Sequence, residues 1–132
     1  MPVAQSGCGA LTATVAAYSP IVALCHCTDC QRRTGSPFGV GGYFPAAAVV
    51  IAGQCREWAR STATGGMLTN RFCPTCGSTV FWTTGQHSGL IGIAAGSFAD
   101  RAFPPPLRSV WEAHRIAWVE TPAPQHFDRG AS

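Results

Sequence analysis

Apolar residues along the chain come in short bursts, each cut off by Gly, Pro or a polar cluster after about ten residues or fewer. This spacing predicts a mainly β domain of short strands over 10–17, 21–24, 39–44, 49–52, 55–61, 68–72, 79–83, 90–95 and 108–111. In the first of these, Thr12 and Thr14 alternate with apolar neighbours, the mark of a half-buried strand. A helical turn is expected over 29–33, stopped by Gly35 and Pro37, and another over 45–48 with Pro at its start. Pro104, Pro105 and Pro106 predict an extended stretch before the last strand. The tail after about residue 119 has no anchoring pattern and is expected to be loosely held.

At 132 residues the sequence suits a single domain over 1–132. Hydrophobic residues make up 46% and charged residues 11%, which excludes a disordered chain. No apolar run approaches the roughly 18 residues of a membrane span, and the start carries no basic, apolar leader pattern. Nine Arg, no Lys and six acids give a net charge of +3 with no basic stripe, so nucleic acid is not an expected partner. The oligomeric state is not encoded in any pattern of the chain.

Seven cysteines change the picture. An odd number fits a disulfide framework poorly, and dense cysteine in a reducing, cytoplasmic compartment reads first as metal binding. Cys25, Cys27 and Cys30 form a C-x-C-x-x-C cluster whose three sulfurs can converge on one ion. Zinc takes four ligands, so three local sulfurs leave one position open, the arrangement of catalytic zinc. Cys73-Pro74-Thr75-Cys76-Gly77 reads as a zinc knuckle, and Cys8 is its expected third ligand. Cys55 has no neighbouring Cys or His and is expected to be a small core hydrophobe. His26 stands between two ligand positions and is expected to face away from the ion. His87, His114 and His126 are expected to be surface or core residues, and Trp58, Trp82, Trp111 and Trp118 packing residues. Arg32 and Arg33 follow the cluster, and a guanidinium fork there suits an anionic substrate group.

Taken in order, Cys25-x-Cys27-x-x-Cys30, Arg33-Thr34-Gly35-Ser36-Pro37-Phe38, Arg71-Phe72-Cys73-Pro74-x-Cys76-Gly77-Ser78 and Ala95-Gly96-Ser97-Phe98-x-Asp100 resemble the glutathione-dependent formaldehyde-activating enzyme family, which includes centromere protein V. The likeness runs from about Gly7 to Trp118. It implies a β-tent fold, shared with methionine sulfoxide reductase B and certain Rab-binding chaperones. It also implies two zinc sites: a working one at Cys25, Cys27 and Cys30, and a structural one at Cys73, Cys76 and an N-terminal cysteine pair. Only Cys8 of that pair is present; Ser6 stands at the other position. The activity implied is a carbon–sulfur lyase reaction, S-(hydroxymethyl)glutathione synthase, with glutathione as co-substrate and formaldehyde or a similar aldehyde as partner.

Two other readings compete. In one, zinc staples a non-enzymatic binding module or glutathione carrier. In the other, the chain is a zinc ribbon for nucleic acid; but 42 residues separate Cys30 from Cys73, against about 15–20 between ribbon halves.

Overall fold

A computed structural model describes residues 1–19 and 21–130. Its strands are β1 (Val3–Gln5), β2 (Thr12–Val15), β3 (Val22–Cys25), β4 (Gly39–Pro45), β5 (Val49–Ala52), β6 (Arg56–Ser61), β7 (Met67–Phe72), β8 (Thr79–Thr84), β9 (Leu90–Ala94), β10 (Arg108–Val110) and β11 (Gln125–His126). The α-helix among the described residues is α1 (Thr28–Thr34). The protein is mainly β, as the spacing of apolar bursts predicts. β1, β2 and β5 make a small antiparallel sheet. The large sheet runs β11-β10-β3-β4-β9-β8-β7-β6. It is mixed, because β10 lies parallel to both β3 and β11.

Alternation explains how the small sheet docks. Along β2, Ala13 and Val15 point inward while Thr12 and Thr14 are half-buried. With Ala4 and Leu11 they meet Phe44, Val80, Phe81, Ile93 and Phe98 in the main core. Cys73 is fully buried in the same cluster, so the second cysteine group is rooted in the core. Cys55 packs half-buried against that cluster.

The helical turn expected over 29–33 is α1. Its end is set by Gly35, whose φ of 67° lies in the left-handed region and whose N–H bonds Gln31 O. The turn expected over 45–48 is a 3₁₀ turn over Ala46–Ala48 behind Pro45. Two strands lie outside the sequence expectation. β1 has only three residues, and β11 two. β11 belongs to the stretch after Trp118, which the sequence leaves loosely held. There Val119 and Ala123 are buried, and β11 pairs with β10. The tryptophans divide: Trp82 is buried and Trp111 half-buried, but Trp58 and Trp118 are exposed, contrary to a packing role. No helix among the described residues is long and apolar enough to cross a membrane.

Candidate metal centre

β3 delivers the first cysteine and α1 the last. Cys25 ends β3, paired with Gly39 of β4 and Val110 of β10. The chain then turns sharply, and Cys27 becomes the N-cap of α1, its sulfur accepting the Cys30 N–H at 3.3 Å. One helical turn places Cys30 beside it. The three sulfurs lie within 4.8 Å of one another.

His26 locks this turn. Its N–H donates to Val110 O at 3.1 Å, and its carbonyl accepts from Gln31 Nε2 at 2.8 Å. The imidazole is fully buried and faces away from the sulfurs, with Nε2 3.0 Å from Ser109 Oγ. The Ser109 hydroxyl serves Glu112, whose Oε2 is 2.7 Å from His126 Nδ1. Ser109 is the hydrogen-bond partner of the ring among the described residues, since His26 Nδ1 is buried and unpaired. Burial pushes the His26 pKa down, so the ring is neutral. His87, His114 and His126 are exposed and join neither cysteine group.

Three adjacent thiols do not ionise alike. Hydrogen bonds from Cys25 and Cys30 hold the Cys27 thiol far below the ordinary thiol range, helped by the Cys30 N–H and the charge of Arg60. Cys25 is pushed far up by its hydrogen bonds to Cys27 and Cys30 and by burial. Of the three, Cys27 is the one held toward its thiolate form; a bound cation would draw off the remaining protons. Arg60 of β6 is tied to Asp29 of α1 at 3.3 Å, which brings its charge to the trio.

Arg33 and Arg32 have different surroundings. Arg33 is half-buried and lies 4.6 Å above the ring of Trp82. Arg32 is exposed on α1. Trp82 can lie flat there because Gly41 and Gly92 have no side chains: a Cβ would come within 2.5 Å of the indole at Gly41 and 2.2 Å at Gly92. The indole N–H points to Tyr43 Oη at 3.4 Å. Burial raises the Tyr43 pKa, and the charges of Cys30 and Cys25 raise it further, so its hydroxyl keeps its proton. A cleft of about 450 Å³ opens beside Arg33, lined also by Thr34, Phe38, Gly39, Ala94 and Ser97. The motif reading missed Tyr43, Arg60 and Ser109, whose partners lie far away in the chain.

The second group gathers Cys8, Cys73 and Cys76, again within 4.8 Å. Cys8 and Cys73 are 3.6 Å apart. Sulfurs bonded tetrahedrally to zinc at about 2.3 Å stand about 3.8 Å apart, so this donor set fits a soft four-coordinate ion. The knuckle folds so that amides face sulfur: Cys73 accepts from the Cys76 and Thr75 N–H groups, which lowers its pKa. The Ser78 hydroxyl and N–H, with the Cys8 N–H, bring Cys76 down to about 5. Among the described residues, no fourth Cys, His, Asp or Glu joins either group.

Fold and cysteines together define a mainly β protein with two three-thiol clusters that could each hold a metal ion. The chain belongs to the family of glutathione-dependent formaldehyde-activating enzymes, whose model matches residues 2–114. A crystal structure of a Rhodobacter sphaeroides protein, solved as a structural-genomics target, shares the fold: TM-score 0.58 at 17% identity, over 78% of this chain and 91% of that one. Comparison with curated proteins gave no match.

Proposed function

We propose that the protein joins glutathione, or a related small thiol, to formaldehyde or a similar aldehyde, giving an S-hydroxymethyl adduct. The observation that carries this reading is the trio of Cys25, Cys27 and Cys30: three sulfurs with no fourth protein ligand among the described residues, followed on the same helix by Arg33, which borders a cleft. The proposed ion is zinc, in a working site at this trio and a structural one at Cys8, Cys73 and Cys76. When bound at the trio, zinc supplies a place where a thiol is held as its thiolate.

The chain's own residues do the rest. Arg33, braced on Trp82, points its guanidinium fork at a carboxylate of the thiol substrate. The cleft beside it holds the substrate backbone. Arg32, exposed on the same helix, is a weaker contact. The thiolate sulfur attacks the aldehyde carbon; a carbon–sulfur bond forms, and the carbonyl π electrons move to oxygen. The proton given up by the thiol returns, through solvent, to that oxygen. No electrons leave the substrates. Holding two small reactants together is the main contribution, since the uncatalysed addition also proceeds. Seven free thiols suit a cytoplasmic setting.

NMR exchange spectroscopy of formaldehyde with glutathione, with and without protein, tests this function. The proposal expects faster exchange with protein, lost in Cys27→Ala and reduced in Arg33→Ala. Exchange equal to buffer removes the enzymatic reading. If glutathione still binds in that case, the glutathione carrier takes its place.

A further inference from the structure

Two hydroxyls border the sulfurs of the second group. Ser6 Oγ lies 3.7 Å from Cys8 Sγ, and Ser78 Oγ lies 3.4 Å from Cys76 Sγ. Each oxygen already accepts a backbone N–H: Leu11 N donates to Ser6 at 3.2 Å, and Gly7 N donates to Ser78 at 3.0 Å. In the metal-free protein the Cys76 thiol donates to Ser78; once the sulfurs are metal-bound thiolates they have no proton to give, and the two hydroxyls become the donors. Acting as a metal ligand, Ser6 would have to share its oxygen between Leu11 N–H and the ion. Ser6 is also fully buried, whereas Cys8 and Cys76 are exposed, so solvent reaches the cluster from the side away from Ser6.

On the reading that Cys8, Cys73 and Cys76 hold zinc, we propose that Ser6 and Ser78 act as hydrogen-bond donors to the sulfurs and that the ion draws its fourth ligand from solution, a low-molecular-weight thiol. Two features select a thiol. The site is soft, and soft ions prefer sulfur. The Ser6 and Ser78 hydroxyls, 3.7 Å from Cys8 Sγ and 3.4 Å from Cys76 Sγ, spread the charge of metal-bound thiolates, which makes room for a fourth. The knuckle is then a second thiol-accepting centre, and Ser6→Cys would close it.

The test uses the full chain with Cys27→Ala to disable the first trio, loaded with cobalt(II) and titrated with 2-mercaptoethanol. The sulfur-to-cobalt charge-transfer band is expected to grow and shift with the thiol. Ser6→Ala keeps that response; Ser6→Cys starts with the four-sulfur spectrum and does not respond. A spectrum indifferent to 2-mercaptoethanol, or a Ser6→Ala chain that has lost its tetrahedral bands before any thiol is added, overturns the inference. A chain that binds no cobalt removes the zinc reading of this cluster and the inference together. Should Cys27→Ala not fold, zinc release to a chromophoric chelator is followed with the first trio intact. Ser6→Cys is expected to slow one of two release phases by about tenfold or more, the scale on which a changed coordination environment alters metal retention. Unchanged phases contradict the inference.

Discussion

Trp82 is buried only because two glycines make way for it. Gly92→Ala forces a methyl into the indole, and neither strand can yield without breaking its pairing. The substitution is expected to destabilise the fold by about 1–3 kcal/mol in urea unfolding, the usual range for overpacking. It should also tilt the surface on which Arg33 rests, so the Michaelis constant for glutathione rises. Ser109→Ala acts on the other side of the trio. It leaves His26 Nε2 buried without its partner, at a cost of about 1–3 kcal/mol. Since His26 sets the Cys25–Cys27 turn, zinc affinity at the trio should fall while retention at Cys73 and Cys76 is unchanged; chelator competition with two resolved zinc populations separates the two. Much at this scale was legible in the chain, because two groups of cysteines lie close in sequence and could be grouped by spacing alone. Ser109 and Tyr43 were not: the first meets His26 across 83 positions and the second meets Trp82 across 39, and nothing local marks either pair.

Among the elements, β11 and the turn before it depend on one carboxylate. Glu112 N bonds Phe127 O, Phe127 N bonds Ser109 O, and the Glu112 side chain grips His126. Burial alone would raise the Glu112 pKa, but the Ser109 hydroxyl and His126 outweigh it, so the pKa lies below the ordinary 4.5. A carboxyl with a depressed folded pKa contributes stability that is present above its unfolded pKa and lost as pH falls through the folded one. Protection of the Phe127 amide against hydrogen exchange, corrected for intrinsic rate, is therefore expected to hold above pH 4.5 and decline below it. Glu112→Gln should flatten that decline, and equal slopes in both proteins would contradict the assignment. The longer strands could be placed from apolar bursts between Gly and Pro. β1 and β11 could not, since three and two residues carry too little alternation to stand out.

For the whole molecule, the second cluster ties the N-terminal strand pair to the core. Cys8 reaches Cys73 across 65 positions, and the same contact anchors the small sheet above Phe44 and Ile93. On the proposed zinc reading, an ion bound there stabilises the native state by an amount that grows with free zinc. Removing it with a chelator is expected to lower the melting temperature. Cys73→Ala should lower it too and abolish the chelator's effect at that site. The mainly β class followed from the chain's punctuation, whereas the docking of two sheets did not, because which face covers which depends on contacts made only after folding. The central claim is that three sulfurs near residue 27 hold an ion whose fourth partner is a visiting molecule. A crystal grown with zinc and glutathione, with an anomalous difference map at the zinc edge, tests it most directly. The account predicts an ion bound by Cys25, Cys27 and Cys30 and by one atom from outside the chain. A fourth ligand supplied by the polypeptide, or a disulfide among those cysteines with no ion, would contradict it.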